Sequence, residues 1–517
     1  MSAATHCFVR RFELISIEEI IAESARATGP RITELVQIRS GGVDPLGLRQ
    51  INFNLMDELL PQLNNVARHI RPLTVMAWAW RSAWKCAEKA GLENVHVSKL
   101  REVVDRIEVI YVWSQLIVHG EVDLPGGSYL RVRLPTEKFT FSGNHWAQMQ
   151  KERKNSTALS APANYGPSLF NLSFARPGSR RDEVREHPFA LDAIDSLEAL
   201  LGKEIDHPAF NTLGEVTVTR ADLDRWGRLW SIDSTTLAEQ NHISRVLGGD
   251  RAPLKRQLGM QLILSAINRS GVAEEGPLRQ TLCSVSELSE DNPLRVVALT
   301  WRGIQARQLF RLTLESLLFW ATREIGARSL TLSQLTSAYL ARVPSAPTAG
   351  AWLAVEGETD SVDIVGSMLL LDRALSSRGA NEDLPAAIHG GLRAALSCRA
   401  TDGSQRDDRL PLVRAQAQAA TFANRLPSEL FEHVLSAWVF GQHVYWSVGR
   451  GIADARSGGD RILRLKVVPD DSGWSLVPGS TTGAPRATPD RLGTALSLSF
   501  ESQMVSDNVA VAGPAVG

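Results

Sequence analysis

A carboxylate, one spacer residue and a lysine is the spacing that metal-dependent nucleases use. Two carboxylates hold the ion and the lysine orients the attacking water. Glu152-Arg-Lys154 has this spacing, but within the polar run HWAQMQKERK, which reads as a helix from His145 to Lys154 and not as a strand. A solvated helix face accounts for it better. The run EGETDSVD places Glu356, Glu358, Asp360 and Asp363 close enough together to hold a divalent ion, although a solvated acidic loop is the simpler reading. His433 and His443 fall on one helical segment, about three turns apart, a poor spacing for one metal. No catalytic residue, metal ligand or cofactor is assigned from these patterns.

Other mechanistic motifs are missing. No GxxxxGK[ST] loop is present to cradle phosphates, and no GxGxxG opens a helix after a strand, which argues against a nucleotide-driven motor. HExxH is absent, and no GxSxG provides a nucleophile elbow.

Cations offer a different chemistry. Residues 66–181 carry 17 Lys and Arg against 9 Asp and Glu, while residues 182–224 carry 11 acidic against 3 basic residues. Such asymmetry suits electrostatic steering of a polyanion. The candidate phosphate contacts are Arg68, Arg71, Arg81, Lys85, Arg131, Arg133, Lys151 and Lys154, with His69 beside them. Two plainer readings stand next to this one: the basic and acidic segments pair with each other, and late-helix cations complement the helix dipole.

The elements that must position these groups centre on residues 44–91, which hold Phe53, Trp78, Trp80 and Trp84. Leu55, Met56, Leu59 and Leu60 form a short helix ended by Pro61. A second short segment through Leu63, Val66 and Ile70 ends before Pro72. From Leu73 a helix apolar on both faces in its first two turns is predicted to be buried all round, with Gly91 as its C-terminal left-handed residue. Val97–Val118 reads as a helix. Leu130, Val132 and Leu134, then Phe139 and Phe141, alternate as in a β-hairpin, which could be a winged-helix-like wing carrying Arg131 and Arg133, or a solvated edge.

Further on, 182–205 reads as an acidic helical region. Glu215–Thr219 is a short strand leading into a capping box, Thr219 to Asp222. Leu294–Ile325 is the longest helix, with Ile304, Leu309, Leu312, Leu317 and Trp320 on its buried side. Arg307, Gln308, Arg311 and Glu315 are expected on its outer side as a salt-bridged surface stripe able to bind anions. Helices are expected at 362–375, 384–396, 410–426 and 427–456, and a hairpin frames PDDSG between 461–467 and 473–477.

The fold class is therefore mainly α (α+β): a multi-helix array with small β-hairpins and one possible winged-helix-like element. The 517 residues divide into an N-terminal leader (1–43), a basic helical domain with a hairpin (44–181), a helical domain (182–343), a C-terminal helical domain with a hairpin (351–502) and a disordered tail (503–517). An apolar content of 44% supports large cores, and a net charge of −1 argues against a wholly basic nucleic-acid surface. Four scattered cysteines without CxxC indicate a reducing compartment. No apolar run is long enough to span a membrane. A cytoplasmic location is expected.

Three stretches resemble one family. LGLRQINFNLMDELLPQLNNVARHIRPLTVMAWAWR is similar to the opening of uncharacterised bacterial proteins with an LLPG…T.RARYYSF..W signature. NYGPSLFNLSF and TPDRLGTALSLSF resemble later segments of the same proteins. Gln62 stands where that signature has Gly, and RHIRPLTVMAW departs from RYYSF. The resemblance implies a companion of ATPases or nucleases in genome-defence gene clusters, and no catalytic residue. The expected function is a non-catalytic subunit of a defence-type or DNA-processing complex that binds a protein partner or DNA. The alternatives are an enzyme, a metal-dependent nuclease or other hydrolase, whose site is assembled from distant residues, and a pure protein–protein scaffold.

Overall fold

Apolar residues recurring every three to four positions put most of the chain into helices, and the computed structural model is mainly α with a few small two-stranded pairs. It describes residues 37–38, 44–92, 96–153, 157–180, 182–285, 288–355, 362–376, 383–400, 409–456, 462–478, 480, 483–506 and 509–510. Of the leader expected at 1–43, only residues 37–38 are among these. No described helix is long and apolar enough to cross a membrane. The helices that carry the argument are α1 (Arg49–Met56), α2 (Ile70–Lys89), α3 (Val97–His119), α4 (Arg220–Leu229), α5 (Leu237–Leu247), α6 (Leu294–Ile325), α7 (Ile364–Ser376), α8 (Asp383–Ser397) and α9 (Leu492–Glu501).

The chain forms two compact units, and each is built from separated stretches. The first comprises residues 1–55 with 283–488, the second 56–282 with 489–517. The boundaries expected at 181/182 and between 343 and 351 therefore fall inside units, and the segment after 488 belongs with the second unit.

In the first unit α6 is surrounded. It packs on α7, α8 and the segment Val434–Gly441, which winds as a π-helix between Pro427–His433 and Gln442–Arg456. A hairpin forms around PDDSG, but its first strand is displaced from the expected 461–467: Val467–Asp470 pairs antiparallel with Gly473–Leu476, while Ile462–Leu463 pairs with Gln37–Ile38.

In the second unit α2 packs on α3, and α4 packs on α3 as well. The tryptophan helix is buried as its two apolar faces require: Trp78, Trp80 and Trp84 are 1%, 5% and 6% exposed. Trp78 meets Phe210 and Trp230 edge-on at 5.3 and 6.0 Å, and Tyr111 of α3 meets Trp230 at 5.5 Å. Its end matches the expectation. Gly91 donates to the Glu88 carbonyl and Leu92 to the Ala87 carbonyl, the paired bonds of a Schellman motif. Its start does not. α2 begins at Ile70, so no separate segment ends before Pro72. Pro72 lies in the first helical turn, where its missing N–H breaks no hydrogen bond.

The predicted hairpin over 130–141 is corrected. Gly127–Arg131 is a short helix, and Lys138–Thr140 pairs antiparallel with Thr217–Thr219 instead. Leu130 turns fully inward, with its carbonyl accepting the Trp113 indole N–H at 3.0 Å, while Val132 is 79% exposed. That asymmetry is not the alternation of a strand. No wing is formed there, so the winged-helix-like element is withdrawn. The strand before α4 and its capping box, Thr219 with Asp222, are both present. The acidic region resolves into a pair, Ala175–Pro177 with Val184–Glu186, and the helix Leu191–Leu201.

The α3–α4 contact tests this packing. A Cβ on Gly227 would come within 2.5 Å of the Ser114 carbonyl oxygen and 2.7 Å of a Val118 methyl. Gly227→Ala is expected to lower stability by about 1–3 kcal/mol through overpacking. Urea unfolding followed by tryptophan fluorescence measures it, and an unchanged midpoint contradicts the close approach.

Candidate functional site

Local chemistry disposes of most of the proposed cation surface. Arg81 and Lys85 lie one turn apart on α2 and meet the acidic helix Leu191–Leu201. Arg81 pairs with Asp195 and lies 3.7 Å from both Glu186 and Glu198, while Lys85 reaches Glu198 at 2.7 Å. The Trp78 indole also donates to Glu198, at 3.1 Å. The basic and acidic segments thus pair with each other. Arg131 is bound to Glu121 at 2.8 Å. Arg133 reaches Glu152 at 3.5 Å and covers the Tyr129 ring at 3.8 Å. Arg68 is half-buried and donates to the Asn65 carbonyl. Lys151 is exposed and, among the described residues, has no ion pair. Lys154 lies outside the described residues.

Arg71 departs furthest from expectation. It is fully buried, so it cannot touch a phosphate at the surface, and this part of the phosphate-binding set is withdrawn. One of its amino groups, Nη2, lies 3.1 Å from Glu239 and also donates to the Ser234 carbonyl. Glu239 is equally buried and reaches this place as part of a capping box. Its Oε2 accepts the Thr236 N–H at 2.7 Å, and its own N–H donates to the Thr236 hydroxyl at 3.2 Å.

Around this pair stand several polar groups with unused valence. Arg71 Nε and Nη1, Glu239 Oε1, the Thr74 hydroxyl and the Tyr111 hydroxyl are all buried without a hydrogen-bond partner. Burial pushes the Tyr111 hydroxyl well above its ordinary range. Arg71 opposes that shift, while Tyr165, Glu239 and Glu501 add to it, so all four lie within electrostatic reach of the phenol.

The rim of this region is a dyad. His69, the residue before α2, lies 2.5 Å from Glu501 at the end of α9. The other Glu501 oxygen accepts the Ile70 N–H at 2.7 Å, which places a carboxylate at the positive end of a 20-residue helix. The His69 N–H donates to the Tyr165 hydroxyl at 3.2 Å. Burial lowers the imidazole's proton affinity, but the Glu501 hydrogen bond and charge, with Asp123 and Asp233 behind them, outweigh it and raise the pKa.

The first unit holds a second buried polar group. The stripe Arg307, Gln308, Arg311 and Glu315, expected as a salt-bridged surface, lies in the interior: none of the four is more than 3% exposed. Arg311 binds Glu315 at 2.6 Å, the Gln308 side chain at 3.3 Å and the Arg486 carbonyl at 2.7 Å. Gln308 in turn accepts from Asn52 of α1 and donates to the Thr488 carbonyl. The pairing between Arg311 and Glu315 was legible in their spacing. The burial was not, because α1 and the 486–488 segment cover that face from distant parts of the sequence.

His433 and His443 are separate. His443 bridges the Pro45 carbonyl and the Lys466 N–H, both at 2.8 Å, and burial pushes its pKa down to about 4. Of the acidic run only Asp363 is described here, where it caps the Gly366 N–H. Among the described residues no three His, Cys, Asp or Glu side chains are grouped to hold a metal. Cys86, Cys283 and Cys398 are buried.

Sequence reasoning missed Thr74, Tyr111, Tyr165, Glu239 and Glu501. The Thr236-x-x-Glu239 capping box was available as a signal for one of them. Nothing in local pattern brings Glu501 to His69. No protein family, no curated protein and no solved structure matches this chain.

Two outcomes follow. Glu315→Gln should cost about 3–5 kcal/mol, because it leaves Arg311 charged and unpaired at depth, whereas the double change Arg311→Met with Glu315→Leu should cost clearly less. Chemical denaturation of the two variants measures the difference, and equal losses contradict it. His69, with its folded pKa raised, contributes stability that is full below its ordinary 6.5 and is lost as pH rises through the raised value. Melting curves between about pH 5 and 9 should show that loss in the native chain and not in His69→Gln. A parallel loss in both would contradict it.

Proposed function

We propose that this chain is a cytoplasmic, non-catalytic subunit of a bacterial genome-defence or DNA-processing complex, and that it works by binding a protein partner. The observation that carries the partner reading is on α7. Ile364, Val365, Met368 and Leu371 are buried there, yet the adjacent Leu369 and Leu370 are 57% and 59% exposed, fringed by Asp372 and Arg373. Large apolar side chains exposed together with a polar rim favour a protein contact over a phosphate backbone. The internal pairing of Arg71, Arg81, Lys85, Arg131 and Arg133 counts against DNA, since each pair would have to break before a phosphate gained from it.

One backbone feature supports the family resemblance. Gln62, which stands where the signature has Gly, adopts a φ of 66°, the left-handed conformation that glycine takes most readily. A glycine at this position would adopt that conformation at less cost than Gln62 does.

The second reading, an enzyme assembled from distant residues, is favoured by the His69–Glu501 dyad. Both side chains are about one-fifth exposed, at 23% and 22%, and the pair has the His–carboxylate form of a general base. A panel of ester and phosphodiester substrates tests it. Turnover by the native chain that is lost in His69→Gln would replace the non-catalytic reading.

The partner reading is tested by recovering the tagged chain from lysate of its source organism, as native protein and as the Leu369→Glu, Leu370→Glu double variant. The native chain should retain a stoichiometric protein that withstands high salt, and the variant should lose it with an unchanged melting temperature. Recovery of DNA that is shed steeply with salt would replace the partner by nucleic acid. Equal retention by both forms would remove α7 from the account.

A further inference from the structure

Two carboxylates and one guanidinium meet where α3 faces the helix Gly143–Arg153. Glu108 and Arg153 form an ion pair that is buried on both sides. Glu108 also accepts the Leu159 N–H at 2.7 Å, the Ser160 N–H at 3.3 Å and the Ser160 hydroxyl at 3.1 Å. This one carboxylate therefore fastens both the helix and the turn after it to α3. Asp105 lies one turn before Glu108 on α3, half-buried, and accepts a hydrogen bond from the Gln150 side-chain amide of the opposing helix at 3.0 Å. Both carboxylates thus address one short helix, whose buried cation is Arg153.

An ionised Asp105 leaves this contact with one negative charge too many. Arg153 is already engaged by Glu108, and like charges one turn apart on a helix repel. Arg101 and Glu102, one turn earlier on α3, and Lys151 on the opposing helix are exposed, where water weakens their influence. Glu152 is turned to Tyr129 and Gln148. Burial, and after it the charge of Glu108, push the Asp105 pKa from its ordinary 3.8 up to about 6, against opposing pulls from Arg153, the Gln150 hydrogen bond and Arg101. A carboxyl raised in this way holds a proton that the opened contact releases. Its contribution to closure is full below 3.8 and is lost as pH rises through about 6. Carboxylates in ordinary ion pairs have the opposite sign and loosen in acid.

We propose that Asp105 is a proton-operated latch: with its carboxyl protonated it locks the helix Gly143–Arg153 and the 157–160 turn onto α3, and on losing the proton it repels Glu108 and loosens both. The latch is independent of the partner surface of α7, which belongs to the other unit. It is also distinct from His69, which precedes α2 and meets the end of α9. Its effect is to make the segment bearing the exposed Lys151 more mobile at neutral pH than in mild acid.

Asp105→Asn keeps an acceptor for Gln150 but cannot ionise. Amide hydrogen exchange of the full-length native chain and of this variant, at about pH 5 and about pH 7.5, tests the latch. Dividing the native rate over residues 143–153 by the variant's rate at the same pH cancels both the intrinsic pH dependence of exchange and the contribution of His69. That ratio should rise about tenfold between the two conditions, the change expected for a carboxyl whose pKa falls from about 6 to 3.8 on opening. Within the native chain alone, residues 143–153 should gain exchange relative to the helix Leu191–Leu201, which keeps the test decisive should the variant misfold. A native-to-variant ratio that stays constant, or falls as pH rises, would overturn the latch. An equal gain in both helices of the native chain would overturn it as well, since the loosening would then be general.

Discussion

Arg71 and Glu239 lie out of contact with water, and each would be costly at that depth without the other. An unpaired buried charge destabilises by several kcal/mol, so the first turn of α2 and the first turn of α5 are held together. The same α2 turn receives the Glu501 carboxylate on the Ile70 N–H. Three stretches far apart in the chain, near residues 70, 239 and 501, therefore meet at one helix end. Trp78 and its aromatic neighbours close the unit one to two turns further along α2. The first unit repeats the principle with different residues. Arg311 and Glu315 sit at the middle of α6 and draw in α1 and the 486–488 segment through Gln308 and Arg311.

This inward use of arginine changes how the chain's charge is to be read. Residues 66–181 are rich in cations, yet Arg81 and Lys85 face the acidic helix Leu191–Leu201 and Arg153 is buried against Glu108. Arg106 is engaged with the carbonyls of Ala209, Thr212 and Gly214. An excess of positive charge in sequence becomes paired internal structure. What is left at the surface is mixed, and the apolar step of Leu369 and Leu370 is the more distinctive feature.

Periodicity located the long elements well. α6 has the bounds that its apolar spacing indicated, α3 is within a residue, and the burial of Trp78, Trp80 and Trp84 followed from a helix apolar on two faces. It failed where the evidence was a handful of residues. Leu130, Val132 and Leu134 alternate in sequence, but Trp113 binds the Leu130 carbonyl and the segment turns into a short helix. It failed again on α6, where polar residues at i, i+4 and i+8 ordinarily mark the solvent face. Only the arrival of Asn52 and of the 486–488 backbone makes burial of that face tolerable. The candidate site was barely legible: Arg71 and His69 were noticed as cations, while their partners come from residues more than 150 positions away. Long-range pairing leaves no local pattern, and the discontinuous composition of both units has the same origin.

The account rests on the charge pair between α2 and α5 being a strongly coupled interior contact. A double-mutant cycle with Arg71→Met, Glu239→Leu and the combined variant, each unfolded in urea, measures that coupling directly. The account predicts that each single change costs about 3–5 kcal/mol and that the combined variant recovers much of the loss. Additive losses, with a coupling near zero, would contradict it.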